Sequence, residues 1–169
     1  MNTMSCDVVV VGAGIAGWTA ALRAVEQGVN VLVVDKSTGE LGNGNSLMTS
    51  GSYRAAGMNP KSSSPQELYR QVMQEGIAYP DLAKAWAGNC ARSIEWLRSS
   101  GIEMVETSVG TFALEPYSLI SLAPVYKKDV GTAILTKLKS GFTKGGGNYA
   151  NRVKASKLLA NDGVVKGIT

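Results

Sequence analysis

The chain has 169 residues and a net charge of +4, enough length for one domain with a proper core. Its charged fraction is 18%, low against the usual quarter or so, and Lys127-Lys128 is the only adjacent basic pair. No aromatic-interleaved basic stripe runs through it, so nucleic-acid binding is not supported, and the lack of histidine excludes a His-based triad or His metal site within these residues.

Met1 to Asp7 has no basic n-region, so no secretory signal is expected. Val8-Val9-Val10-Val11 is far too short to span a bilayer; it predicts a parallel strand buried on both faces. Gly12-Ala13-Gly14-Ile15-Ala16-Gly17 follows at once and opens a predicted helix. Gly12 suits a tight turn, Gly14 lets a pyrophosphate approach the backbone, and Gly17 lets the helix lie close on the strand. Ala21 is small where that helix meets the sheet, and Gly28 is placed to end it. Val31-Leu32-Val33-Val34 then predicts a second strand that ends on Asp35.

Together these residues form the fingerprint of a βαβ unit that holds a dinucleotide. The helix N-terminus offers free N–H groups and partial positive charge to the phosphates. Asp35 can accept hydrogen bonds from a ribose diol, and its charge favours NAD or FAD over NADP. An ordinary βαβ unit with a glycine turn and no ligand is the competing reading.

Lys36 to Gly51 is rich in Gly, Asn and Ser and offers many backbone N–H groups to a flat polar ring, although a solvent loop has the same composition. Ser64-Pro65-Gln66-Glu67 reads as a capping box with proline at the first helical position, starting a helix to about Glu75 with Gly76 as its stop. Asp81 is expected to cap the next helix, whose apolar stripe is Leu82, Trp86, Cys90, Ile94 and Leu97, ended by Gly101. That stripe reads as core packing. Val130 to Lys139 predicts a further helix. Asn151 to Ala160 and Val164 to Thr169 predict two strands joined at Asn161-Asp162-Gly163. Cys6 and Cys90 are far apart and form no CxxC, so two reduced thiols in a cytoplasmic protein are expected, with no metal site.

Gly12 to Gly28, Asp35-Lys36, Gly42-Asn43-Gly44-Asn45-Ser46 and Ser50-Gly51 resemble the FAD-binding start of the fumarate reductase/succinate dehydrogenase flavoprotein family. That family includes 3-ketosteroid dehydrogenases and tricarballylate dehydrogenase-like enzymes. The resemblance continues through Tyr79-Pro80-Asp81-Leu82 to Gly101-Ile102, and from Gly131-Thr132-Ala133 through Ala155 to Gly167, with a weak patch from about Met104 to Asp129. It implies an α/β, Rossmann-like FAD-binding domain with a parallel sheet and a C-terminal β-hairpin. By the same resemblance Gly12, Ala13, Gly14, Ala16 and Gly17 would cradle the pyrophosphate. Asp35 would hold the adenosine ribose with Lys36 beside it. Asn43, Gly44, Asn45 and Ser46 would run past the flavin, Ser50 and Gly51 would approach its ring, and the backbone of Ala155 would face the adenine.

The implied chemistry is hydride transfer at flavin N5, on a CH–CH or C=C bond beside a carboxylate or ketone. The lack of histidine excludes a histidyl-linked flavin and departs from the family, whose His, Arg or Tyr catalytic groups lie mostly later in the sequence. Glu115, Tyr117, Tyr126, Lys127 and Lys128 could touch substrate, but none is assigned catalysis. Family chains are much longer than this one. Residues 1–169 are therefore expected to be the N-terminal part of an FAD-binding domain, completed by a missing C-terminal half or a second chain that brings the catalytic side chains. An NAD-dependent oxidoreductase domain and a non-catalytic subunit that keeps the fold are the alternatives.

Overall fold

The computed structural model describes residues 3–56, 64–76, 78–107, 118–121 and 129–169. Two compact units result: one formed by residues up to 49 together with those from 129 onward, the other by residues 50–128.

The first unit is built on a parallel sheet in the order β1-β2-β6, where β1 is Val8–Val11, β2 is Val31–Val34 and β6 is Asn148–Ala150. Val8 pairs with Val31 and Val11 with Val34, so the valine run and the second apolar run lie in register. All four residues of β2 are buried, as a central parallel strand requires. On β1, however, Val11 is 59% exposed, against the expectation of a strand covered on both faces.

Helix α1 (Ile15–Glu26) connects β1 to β2 and buries Trp18, Ala21, Leu22 and Val25. Gly28 ends it in the left-handed region at φ +77°, donating its N–H to Val25 O. Helix α4 (Val130–Lys144) packs on α1 and buries Ile134, Leu135, Leu138 and Phe142. Trp18 is fully buried, its ring centroid 5.5 Å from that of Phe142 and 5.0 Å from that of Tyr149. These edge and tilted contacts join α1, α4 and β6 into one core.

The predicted long strand from Asn151 to Ala160 is not formed. The chain instead makes the short parallel strand β6, turns at Arg152 with φ +58°, and begins β7 (Leu158–Asn161) only later. A non-glycine residue at positive φ breaks a strand, and here it redirects the chain toward the end of β2. β7 and β8 (Val164–Ile168) form the expected hairpin, with Asp162 and Gly163 both at positive φ as a two-residue type I′ turn requires. Helix α4 also runs five residues past the expected Lys139, to Lys144.

In the second unit, β3 (Ser52–Ala55), β4 (Val105–Thr107) and β5 (Ser118–Ser121) form an antiparallel sheet in the order β3-β5-β4. Helices α2 (Pro65–Gln74) and α3 (Pro80–Ser99) pack on each other, around a core of Ala55, Ala56, Leu68, Ala87, Cys90 and Ile94. Ser64 caps α2 by accepting the Glu67 N–H at 3.1 Å, but the Glu67 carboxylate pairs with Arg70, so only half of the capping box is made. Helix α3 starts at Pro80 after Tyr79, and Asp81 lies inside its first turn rather than capping it. Its buried stripe is also turned from the expected one. Ala83, Ala87, Cys90 and Ile94 face the core, whereas Leu82 is 68% and Trp86 39% exposed. Small alanines allow close approach at this face, a preference that apolar periodicity weighted by side-chain size misses.

Among the described residues, no helix is long and apolar enough to cross a membrane.

Candidate functional site: a glycine turn closed by an aspartate

The carboxyl ends of β1 and β2 and the N-terminus of α1 meet at the glycine turn. Gly12 leaves β1 at φ +104° and donates its N–H to Val34 O at 2.8 Å. A Cβ on Gly17 would lie 1.9 Å from Gly12 O, so only a bare backbone lets the first turn of α1 sit this close to the strand end.

Asp35 closes this turn from the other strand. Its Oδ2 accepts the Ala13 N–H at 2.7 Å and its Oδ1 accepts the Ser37 N–H, also at 2.7 Å. Burial alone would raise the pKa of this carboxyl, but the N–H donor of Ala13, Ser37 and the Lys36 charge together hold it below the ordinary aspartate value. The segment after β6 fixes the Asp35 backbone: Val153 N–H donates to Asp35 O at 2.9 Å and Arg152 N–H to Ser37 O at 2.8 Å.

Helix α1 begins after Gly14, which has no side chain to cap it. Ser46 takes that part from a distant loop, its Oγ accepting the Ile15 N–H at 3.0 Å. A Cβ on Gly14 would come within 3.3 Å of the same oxygen. The open backbone at Gly14, the orphan N–H groups of the first helical turn and the Ser46 hydroxyl form a cradle whose chemistry fits a diphosphate.

The turn, Asp35 and Ser46 thus come together. Gly12, Ala13, Gly14, Ala16 and Gly17 make up the turn and helix start, and Lys36 is exposed next to Asp35. Asn43, Gly44 and Asn45 are exposed on the loop that leads into a 3₁₀ turn, Asn45–Met48. Ala155 lies past Val153 at the base of the hairpin, where Ser156 N–H bonds Thr169 O. Ser50 and Gly51 open the second unit, with Gly51 buried at φ +69°. Glu115, Tyr117, Tyr126, Lys127 and Lys128 lie outside the described residues.

Several residues around the site carry no local sequence signal. Tyr149 donates its hydroxyl to Gly39 O at 2.9 Å, Lys139 its ammonium to Glu40 O at 2.7 Å, and Trp18 its indole N–H to Leu41 O at 3.5 Å. Gly131 is equally tight against this loop, since a Cβ there would lie 2.3 Å from Ser46 O. Each joins segments far apart in the chain; only the glycine near the start of α4 could have pointed to a close approach.

The FAD binding domain family matches residues 7–169. Fumarate reductase (cytochrome) of Shewanella frigidimarina is 27% identical over 170 residues, covering 96% of this chain and 29% of its own length. NADH:fumarate oxidoreductase of Klebsiella pneumoniae is 28% identical over 172 residues, covering 97% of this chain and 18% of its own. Among solved structures, 3-ketosteroid-Δ4-(5α)-dehydrogenase from Rhodococcus jostii RHA1 superposes with a TM-score of 0.78 at 21% identity, over 96% of this chain and 41% of that one. This chain therefore spans less than a third of the length of these two relatives.

Proposed function

The chain belongs to the FAD binding domain family, among the fumarate reductase/succinate dehydrogenase flavoproteins, and from that premise we propose that it is the N-terminal, cofactor-holding part of an FAD-dependent oxidoreductase. The observation that carries this reading is the closed turn: Asp35 from β2 seated on the Ala13 N–H, at the N-terminus of α1. Gly12 and Ala13 shape the turn against the pyrophosphate, their own N–H groups being taken by Val34 O and Asp35, while Gly14, Ala16 and Gly17 at the start of α1 offer it backbone N–H groups and the helix dipole. Each carboxylate oxygen of Asp35 keeps acceptor capacity beyond its bond within the chain, and that capacity takes the ribose hydroxyls. Lys36 adds a positive charge beside them. Asn43, Gly44, Asn45 and Ser46 lead toward the flavin, with Ser50 and Gly51 at its ring and the Ala155 backbone at the adenine.

Bound flavin supplies hydride transfer at N5 to or from a CH–CH or C=C bond beside a carboxylate or ketone. This chain's part is to orient the cofactor. The proton donor and the basic group that polarises the substrate come from sequence or a partner chain outside these residues, in keeping with the small share of each relative that the chain covers.

Absorbance tests the cofactor assignment. Protein incubated with FAD and desalted is expected to keep flavin bands at roughly 370 and 450 nm. Retention of NAD instead, or of neither nucleotide, contradicts it.

A further inference from the structure

We propose that Lys139 and Tyr149 are positioning residues for the dinucleotide, acting by tethering consecutive carbonyls of the loop that carries Gly42 and Ser46. The inference rests on the FAD reading above and deepens it.

The carbonyls of Gly39, Glu40 and Leu41 each receive a side-chain donor from a different element: Tyr149 on β6, Lys139 on α4 and Trp18 on α1. Beyond these carbonyls the loop reaches the turn twice. Gly42 packs on it so closely that a Cβ would lie 2.8 Å from Ala13 O, and Ser46 accepts the Ile15 N–H. A shift in the tether therefore moves both the floor of the turn and the hydroxyl that caps α1.

Lys139 is held on three sides. Its ammonium bonds Glu40 O and the Glu40 carboxylate, both at 2.7 Å, and lies 4.8 Å from the centroid of the Tyr149 ring. The Glu40 side chain is 79% exposed, so the ion pair alone contributes little. The bond to the backbone carbonyl is what fixes the loop, because it restrains the main chain. Burial raises the Tyr149 pKa, with the negative charges of Asp35 and Glu40 acting in the same direction. Its hydroxyl therefore stays protonated and remains a donor near neutral pH.

Lys139→Met keeps the apolar stem and removes the charge, and Tyr149→Phe removes only the hydroxyl. Both are compared with wild type and with Lys139→Arg, in the 169-residue chain. The readouts are FAD affinity by fluorescence, amide shifts of Gly42 to Ser46 without ligand, and melting temperature. Lys139→Met and Tyr149→Phe are each expected to weaken FAD binding about threefold to tenfold, to move those amides, and to change the melting temperature little. Lys139→Arg is expected to recover most of the affinity. Wild type that binds FAD while both variants bind equally well overturns this inference alone. So does an affinity loss that merely follows a fall in melting temperature, with the loop amides unmoved. Wild type that binds no FAD overturns the reading of the site itself, and this inference with it.

Discussion

Asp35 reaches back across the sheet to the Ala13 N–H at 2.7 Å, so the acid at the end of the second strand is part of the glycine turn. Such a carboxylate has two tasks: it satisfies backbone donors at a tight turn and presents its remaining lone pairs outward. Asp35→Ala leaves the Ala13 and Ser37 N–H groups without their acceptor, and a loss of about 1–3 kcal/mol in stability is expected from urea unfolding. Asp35→Asn keeps one oxygen acceptor but sets an NH₂ against the other donor, so its stability is expected to fall between that of wild type and Asp35→Ala. Both variants are expected to bind FAD at least about tenfold more weakly, since each loses charge and geometry at the ribose.

The same bonds set the acid behaviour. The Asp35 pKa is lowered from 3.8, so in the folded chain the carboxylate persists below the pH at which it takes up a proton when unfolded. Its stabilising contribution is full above that unfolded value and is lost as pH falls through the lower folded one. Carbon-13 titration of the side-chain carboxyl is expected to give a midpoint below 3.8, and Asp35→Asn is expected to flatten this part of the acid limb of stability. A midpoint at or above 3.8 would contradict the closed turn.

Two glycines make an opposed pair. Gly17→Ala places a Cβ 1.9 Å from Gly12 O, which must displace α1 from the strand end. It is expected to cost about 1–3 kcal/mol and to abolish FAD retention. Gly88, within α3, is exposed with nothing within 4 Å of an added Cβ. Gly88→Ala is expected to stabilise the chain by about 0.5–1 kcal/mol through helix propensity alone and to leave FAD binding unchanged. Thermal melts with flavin titration check both.

Cys90 is buried on α3, and burial pushes its thiol pKa up. Its Sγ donates to Trp86 O at 3.1 Å. A neutral, enclosed thiol reacts slowly. A thiol reagent is expected to label partly exposed Cys6 first and Cys90 only as the chain unfolds, which mass spectrometry after timed quenching can read.

The βαβ unit was legible because its signals are local: a valine strand, glycines at fixed offsets, and an acid at the end of the next strand. Ser64 and the Asp162-Gly163 turn were legible for the same reason. Strand β6 was not. Asn148-Tyr149-Ala150 is short and half polar, and its strand character comes from pairing with Leu32, Val33 and Val34, far away in the chain. The face of α3 is not legible because the alanines that permit helix contact carry less hydrophobic weight than Leu82 and Trp86, which are exposed. At the site, the resemblance puts Ser46 on the flavin loop, but its capping of Ile15 depends on how that loop folds back. The donors Lys139 and Tyr149 were invisible for the same reason.

In the proposed site the glycine turn and Asp35 hold the ADP half of FAD. Proton–nitrogen correlation spectra of the labelled chain, recorded as FAD is added, test it most directly. Saturable one-to-one shifts of the backbone amides of Gly12 to Gly17 and of Asp35 to Ser37 are expected. Binding that leaves those amides unmoved and shifts another part of the chain would contradict it.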